Sequence, residues 1–164
     1  MSSPAVHSPR FRLAEPADVD ALVRLVNAAF SVEKFFIEDD RINAEGVRRL
    51  MAAGQFVVSQ DGAGLGGCVY IEPRGDRAYL GLLSVDPSRQ RTGLGSRLMA
   101  AAETHARNAG ALHMDLRIVD LREELPAFYW RLGYVVTGTS PFSSDIITKR
   151  PCHFINMSKS LDPA

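Results

Sequence analysis

Residues 89–97 (RQRTGLGSR) carry the densest set of groups that could bind a ligand. Gly93 and Gly95 stand between a segment typical of a buried strand and a helix, where the first N–H groups of the helix are free to bind phosphate oxygens. Arg89, Arg91 and Arg97 would add positive charge. The stretch therefore predicts a phosphate-binding turn, although a plain glycine turn with solvated arginines has the same composition.

Two kinds of phosphate-binding turn fit these residues poorly. The GxxxxGK[ST] loop of nucleoside triphosphatases needs a lysine, and no lysine follows Gly93 or Gly95. The GxGxxG turn of dinucleotide-binding proteins needs a third glycine where this chain has Leu98. The strand before the turn is also preceded by predicted hairpins rather than by βαβ units. Both classes are therefore disfavoured.

A second group with chemical potential is Tyr129, in the segment LPAFYWRLGYVV (125–136). A phenol and a thiol have pKa values within about two units of each other, so Tyr129 could protonate a departing thiolate in a nearly balanced step. The spacing also fits a core aromatic on a short amphipathic helix that ends at Gly133. From spacing alone, the core position is the simpler interpretation.

The periodicity of the apolar residues predicts the elements that would position these groups. Strands are predicted at residues 10–14, 55–60, 64–73, 77–87, 111–119, 134–140 and 152–161. Helices are predicted over 16–29, from an N-cap at Asn43, over 95–108 and around 125–132, with a loop or irregular helix at 30–42. This order predicts one mixed α/β domain of the α+β kind. Its sheet would be mostly antiparallel, with one parallel strand pair where helix 95–108 crosses over and about four flanking helices.

Two motifs together resemble the GNAT superfamily of N-acetyltransferases. QRTGLG (90–95) has the Q/R-x-x-G-x-G/A pattern of the loop that binds the pyrophosphate of acyl-CoA in that family. LPAFYWRLGYVVTG (125–138) resembles a second signature, in which an aromatic–Tyr pair on a short helix precedes Leu-Gly-Phe/Tyr. The order of elements matches as well. The resemblance implies a single GNAT-type domain over residues 10–164, behind a tail at 1–9 that is expected to be disordered.

The resemblance implies an N-acetyltransferase that moves an acetyl group from acetyl-CoA to a primary amine of a small molecule or peptide, directly and in a ternary complex. Acetyl-CoA is the implied co-substrate, no metal is expected, and Tyr129 would be the general acid. The implied cofactor-binding residues are Leu83, Ser84 and Val85 of the strand, Gln90, Arg91, Thr92, Gly93, Leu94, Gly95 and Ser96 of the loop, and Arg122. Many relatives have asparagine where this chain has Arg122, so a cofactor contact and a solvated position remain equally open for it.

The base that would deprotonate the amine has no clear motif. Many relatives carry a glutamate on the strand before the loop, but AYLGLLSV contains no carboxylate. Glu72, at the end of the preceding strand, is assigned this role here. The alternatives are a water relay, an amine that arrives neutral, or one of the acidic loop residues Glu33, Glu38, Asp39 and Asp40.

The acceptor site is predicted from the loop after the first helix, because that loop commonly lines the acceptor site in this family. Phe35, Phe36 and Glu38 of the loop are therefore expected to bind the substrate, together with Tyr79, which stands near the position of the missing glutamate. The acidic segment EKFFIEDD would suit a cationic amine with an apolar body.

Composition narrows the setting in which this chemistry would occur. Among 164 residues, 19 Lys and Arg balance 19 Asp and Glu, so bulk attraction to nucleic acid or to an anionic membrane is not expected. The N-terminal segment lacks the apolar core of a signal peptide, and a cytoplasmic protein is expected. Cys68 and Cys152 are interpreted as free thiols, and the histidines lack metal-ligand spacing.

Two alternatives to the N-acetyltransferase remain open at this stage. GNAT-like domains can lose turnover while they retain the cofactor, so a non-catalytic acyl-CoA-binding regulatory module is compatible with the same loop. A transferase that uses a different acyl-CoA is compatible as well. A homodimer, common in the family, is also possible.

Overall fold

Within residues 9–142 and 146–161, which the computed structural model describes, the chain forms seven strands and four α-helices. The strands are β1 (Arg10–Leu13), β2 (Gln55–Asp61), β3 (Gly64–Arg74), β4 (Arg77–Val85), β5 (His113–Val119), β6 (Val135–Pro141) and β7 (His153–Ser160). The helices are α1 (Val19–Ala29), α2 (Ala44–Ala53), α3 (Leu94–Asn108) and α4 (Leu125–Arg131). Most of the predicted tail, residues 1–8, and the last three residues of the predicted domain lie outside the described residues.

The strands form one mixed sheet in the order β1-β2-β3-β4-β5-β7-β6. Neighbouring strands run antiparallel except β4 and β5, which run parallel and are joined through α3. The predicted α/β domain, with a mostly antiparallel sheet and one parallel pair, is therefore confirmed. The parallel pairing is short, because it joins Arg77–Tyr79 of β4 to His113–Asp115 of β5 and is not continued along the rest of the two described strands.

Alternating residues of β3 supply hydrophobic cores on the two faces of the sheet. Val69 packs in a cluster with Leu98 of α3, whereas its neighbour Cys68 packs with Leu22 of α1 and Val47 of α2. Helices therefore cover both faces. They hold β4 in place between β3, with which it pairs along most of its length, and β5, from which it separates after Tyr79.

The segment between α1 and α2 is irregular, as its sequence predicts. A 3₁₀ turn at Phe30–Glu33 is followed by turns and by a single bridge between Ile37 and Thr148. The backbone N–H of Lys149 also donates to the carbonyl of Phe36 at 2.7 Å. These contacts tie the segment to the connection between β6 and β7, so that it flanks the gap between β4 and β5.

Local signals at three chain positions set the ends of elements beside this gap. The side chain of Asn43 accepts from the N–H of Gly46 at 2.8 Å, so the predicted N-cap of α2 is confirmed. Gly133 has φ +98°, as expected for a glycine that follows α4. The strand predicted over 77–87 is too long, because Pro87–Arg89 forms a 3₁₀ turn that ends β4 at Val85.

Candidate active site

Two adjoining cavities open where β4 and β5 separate. The outer cavity has a volume of about 590 Å³, and Glu72, Asp115 and Asn156 are among the residues that line it. The inner cavity, of about 110 Å³, is reached by Glu33, Arg122 and Tyr129. The residues that line both are Arg41, Tyr79, Gly81, Leu82, Leu116 and Arg117. One opening therefore runs past Tyr79, from the outer cavity to Tyr129.

Tyr129 lies at the inner end of this opening, on α4. Its side chain is buried, and its ring meets the rings of Phe128 and Tyr134 edge-on at centroid distances of 5.0 and 6.0 Å. Burial raises the pKa of the Tyr129 phenol above its ordinary value, so the phenol keeps its proton through the neutral range. A protonated hydroxyl on the wall of a cavity can serve as a proton donor.

A bulge in β4 forms the wall opposite β5. Ser84 pairs with Cys68 and Gly81 pairs with Tyr70, so Leu82 and Leu83 together oppose a single residue of β3. Leu82 has φ +53°, an unusual conformation for a leucine. A bulge interrupts the β-ladder, and both residues of this one, Leu82 and Leu83, line the inner cavity.

Two buried side chains stabilise the bulge from behind. The Ser84 hydroxyl donates to the Leu82 carbonyl at 2.8 Å, and the Cys68 thiol contacts the same oxygen at 3.8 Å. The side chain of Ser84 is thus directed to the strand itself. If Ser84 contacts a cofactor, as predicted, it would do so through its main-chain groups.

The loop after β4 presents backbone N–H groups, as the glycine pattern predicts. Arg91 and Gly93 have φ +68° and +81°, and Gly93 is the N-cap of α3. The first intrahelical bond described is from Arg97 N–H to Gly93 O at 3.1 Å, so the N–H groups of Leu94, Gly95 and Ser96 have no acceptor within the helix. Such a helix start is a potential binding site for an anion such as a phosphate group.

Two polar side chains of the loop form hydrogen bonds to nearby backbone carbonyls and so stabilise the conformation of the loop. Thr92 donates to the carbonyl of Arg89 at 2.7 Å, and the Gln90 amide donates to that of Val85 at 3.4 Å. Of the three arginines predicted to add charge, Arg89 pairs with Asp61 at 3.1 Å and Arg97 lies over the ring of Phe11. Arg91 and Arg97 are both exposed and keep their positive charges near the start of α3.

Arg122 is not the solvated helix-start residue that its sequence position also allowed. Its guanidinium donates to Glu33 at 2.9 Å and to Glu124 at 2.6 Å, and its side chain is mostly buried. Glu33 is buried too, and this burial raises the pKa of its carboxyl, while the bond from Arg122 acts in the opposite direction. The pair lines the inner cavity beside Tyr129.

Glu72 lines the outer cavity with both carboxylate oxygens engaged. It accepts from Arg74 Nε at 2.7 Å and from the Tyr70 hydroxyl at 2.9 Å. These hydrogen bonds, that from Arg74 foremost, lower the pKa of the Glu72 carboxyl. A carboxylate held in its ionised form is a weak proton acceptor.

The predicted acceptor residues are only partly brought together. Tyr79 lines both cavities, between the guanidinium groups of Arg74 and Arg117, at 4.4 and 5.9 Å from its ring centre. Phe35 and Glu38 line neither cavity. The prediction for Phe36 is wrong, because its fully buried ring packs with Val119 and Phe154 in a third apolar cluster.

Sequence reasoning named Arg122 but missed two other arginines of the site and the conformation of Leu82. Arg41 and Arg117 each line both cavities, and Leu82 forms the bulge. Arg117 is an exposed residue of a strand and Arg41 follows an acidic run, and neither position is distinctive in the sequence. A leucine within a strand gives no sign of a positive φ either.

In the described part of the chain, no group of three His, Cys, Asp or Glu residues could hold a metal ion, and no helix is long and apolar enough to cross a membrane. Cys68 and Cys152 are free, as predicted, and burial raises the pKa of the Cys68 thiol to about 12.

Comparisons with known proteins agree with this geometry. Residues 52–136, which include β4, the loop, α3 and α4, match a family model described as an acetyltransferase (GNAT) domain. Comparison with curated protein sequences finds no match.

Solved structures share the fold. Ard1 from Thermoplasma volcanium is 20% identical with a TM-score of 0.79, covering 95% of this chain and 99% of that one. For yncA from Salmonella typhimurium, solved with its cofactor acetyl-CoA, the identity is 21%, the TM-score 0.71 and the coverage 95% of each chain. For the ribosomal-protein-S18-alanine N-acetyltransferase from Escherichia coli the values are 16%, 0.75, 95% of this chain and 96% of that one.

Proposed function

Since the chain belongs to the GNAT family of acetyltransferases and is an acyltransferase, we propose that it moves an acetyl group from acetyl-CoA directly to a primary amine. The observation that carries this proposal is the continuous opening between β4 and β5. It connects a buried tyrosine hydroxyl with an outer cavity large enough for a small molecule. Donor and acceptor could therefore meet beside Tyr79 without an acyl-enzyme.

The donor would be held mainly by the backbone. The free N–H groups at the start of α3 suit a pyrophosphate, and Gly93 lets the main chain turn toward it. The main chain of Leu83 and Val85, next to the bulge, would pair with an extended chain as an added strand. An N–H group freed by the bulge would polarise the thioester carbonyl.

Tyr129 would act as the general acid. Transfer forms a carbon–nitrogen bond and breaks a carbon–sulfur bond, so the departing thiolate must gain a proton. The raised pKa of Tyr129 keeps its proton in place until the thiolate develops, and its burial excludes water from competing for that role.

Two carboxylates are candidates for the base that takes the proton of the amine. Glu72 faces the outer cavity, but Arg74 and Tyr70 hold it ionised and lower its pKa. Glu33 lies beside Tyr129 with a raised pKa, which brings it closer to the value that a general base needs. We therefore assign the role to Glu33 and keep Glu72 as the competing candidate.

The test is release of the CoA thiol from acetyl-CoA across a panel of amino acids, polyamines, amino sugars, arylamines and peptides. We expect at least one amine to accelerate release well above the rate without acceptor, with one acetylated amine formed per thiol. Acetyl-CoA binding without acceleration by any amine would favour the non-catalytic module instead. Faster release from propionyl-CoA than from acetyl-CoA would indicate a different acyl donor.

A further inference from the structure

Two arginines in the opening have no part in the transfer chemistry described above. Arg41 and Arg117 both line the outer and the inner cavity, and both are exposed. Neither forms an ion pair with a carboxylate within residues 9–142 and 146–161. Each therefore brings to the cavity wall a positive charge that no ion pair of the described residues neutralises, although burial raises the pKa of nearby Glu33 and the charge of Arg41 acts on that carboxyl in the opposite direction.

The other described charges on the wall of the outer cavity are neutralised by partners. Arg74 donates to Glu72 at 2.7 Å. Asp115 accepts two hydrogen bonds from Arg77, at 2.7 and 2.6 Å. Once these pairs are set aside, Arg41 and Arg117 determine the sign of the charge that a ligand meets, and that sign is positive.

Aromatic faces, rather than carboxylates, position the two guanidinium groups. Arg117 lies 4.2 Å from the ring centre of Phe154 and 5.9 Å from that of Tyr79, and Arg41 lies 5.4 Å from that of Phe30. A guanidinium that stacks on a ring keeps its N–H donors free at its edge. That edge matches the two oxygens of a carboxylate or a similar acid group.

Three of the four acids in the segment EKFFIEDD, which was expected to attract a cationic acceptor, lie outside the two cavities. Glu38, Asp39 and Asp40 line neither the outer nor the inner cavity. Asp40 instead pairs with Lys34 at 3.1 Å on the surface. Glu33, at the start of the segment, does line the inner cavity, but it is paired there with Arg122 at 2.9 Å. Arg41, the residue that follows the segment, lines both cavities.

We propose that the acceptor is a small zwitterionic amine, such as a free amino acid, whose acid group binds to Arg41 and Arg117 while its amine faces Tyr79 and the inner cavity. The outer cavity, at about 590 Å³, has room for a molecule of this size. This inference rests on the proposed function and narrows its substrate class.

The experiment compares each of the twenty amino acids with its own carboxamide, which keeps the amine and the side chain but loses the negative charge. kcat/KM is measured by thiol release in the wild type, in Arg41→Gln, in Arg117→Gln and in the control Arg48→Gln, an exposed arginine outside both cavities. We expect the best amino acid to exceed its carboxamide at least about 10-fold, since hydrogen bonds to a charged group are the stronger ones. The amine of a carboxamide loses its proton more easily, so intrinsic reactivity favours the opposite order.

The variants separate a role in binding from a general defect. Arg41→Gln and Arg117→Gln should each lower kcat/KM for the amino acid about 10- to 100-fold and change that for the carboxamide about 2-fold or less. Arg48→Gln should change neither. If carboxamides or other amines without an acid group react as well as amino acids, the inference is wrong but the proposed acetyltransferase activity stands. The same conclusion follows if each arginine variant loses equal activity toward the amino acid and its carboxamide.

Calorimetric titration of the amino acid into the protein saturated with CoA gives a readout that does not depend on turnover. We expect binding that weakens in Arg117→Gln but not in Arg48→Gln. If that pattern appears while no amine releases thiol, the acid-binding site is supported and the proposed function fails. If the amino acid does not bind to the wild type, the inference fails.

Discussion

The proposed donor end and the proposed acceptor end of the site are built in different ways. The donor end comprises the loop 90–96, which lines neither cavity, the bulge at Leu82 and the hydroxyl of Tyr129, and it would use mainly backbone groups from neighbouring elements. The acceptor end consists of Arg41, Glu72, Tyr79 and Arg117, single side chains from four separate segments. The donor end thus depends mainly on local backbone structure, whereas the acceptor end depends on tertiary packing.

This difference explains what each end demands of the sequence. The positive φ at Gly93 favours glycine, and a helix start after a strand recurs at a fixed spacing. A side chain on the cavity wall has no such requirement, because many residue types fit the same strand position. We therefore expect substitutions at the donor end to affect all acceptors and substitutions at the acceptor end to affect only some.

The largest effect is expected at the centre of the donor end. Tyr129→Phe removes the hydroxyl and leaves the ring that packs on Phe128 and Tyr134. We predict a loss of kcat of about 100-fold or more, equal for every acceptor, with unchanged affinity for acetyl-CoA, because proton donation to the thiolate is lost. Turnover close to wild type would remove Tyr129 from the mechanism.

The two candidate bases come next and differ in their pH dependence. Glu33→Gln should lower kcat/KM about 100-fold, whereas Glu72→Gln should lower it less than about 10-fold. Because burial raises the pKa of Glu33, activity should fall as the pH drops through a value above the ordinary 4.5, where the carboxyl gains its proton. If Glu72 were the base, its lowered pKa would place the fall in activity below pH 4.5, the ordinary pKa of a glutamate.

The pH profile of kcat/KM decides between these two assignments. An acid limb above pH 4.5 in the wild type that vanishes in Glu33→Gln would identify Glu33. An acid limb that survives Glu33→Gln and vanishes in Glu72→Gln would instead transfer the role to the acceptor end.

The loop should show a smaller effect, confined to the donor. Gly93→Ala forces a side chain into φ +81°, at a cost of about 1–2 kcal/mol. We predict a KM for acetyl-CoA that is about 10-fold higher, with little change in kcat or in the KM of the acceptor. Gly62→Ala is the matched control, since a Cβ at this hairpin glycine meets nothing within 4 Å and its φ lies outside the left-handed region. Equal effects of the two substitutions would argue against donor binding by the loop.

The smallest effect is expected behind the bulge. Ser84→Ala removes a hydrogen bond to the carbonyl of Leu82, worth about 0.5–1.5 kcal/mol. If the bulge orients a main-chain donor toward the thioester, kcat should fall about 3- to 10-fold for all acceptors alike, while the melting temperature drops slightly. A change restricted to stability would limit Ser84 to a structural role.

Much of the fold and of the donor end could be predicted from the sequence, for the same physical reason. The period of two along β2 and β3, the N-cap Asn43 and the glycine turn are local signals. The bulge at Leu82 could not be predicted, because a leucine in a strand carries no signal for it. The contacts from Ser84 and Cys68 that stabilise the bulge appear only in the folded structure.

The acceptor end was the part that sequence reasoning misjudged. Phe36 looked like a substrate contact in an acidic loop, but an apolar cluster with Phe154 buries its ring. The sequence analysis assigned no role to Arg117, which the early separation of β4 and β5 leaves on the wall of the opening. Both outcomes depend on where distant segments pack.

Direct transfer between the two ends is tested most directly by the intact mass of the protein in a single turnover. The protein is mixed with acetyl-CoA and quenched, once without acceptor and once with the best amino acid. We predict an unmodified protein in both samples and, with acceptor, one acetylated amine for each CoA thiol released. This expectation agrees with the buried, high-pKa thiol of Cys68. An acetylated protein that forms without acceptor and then passes its acetyl group to the amine would contradict direct transfer.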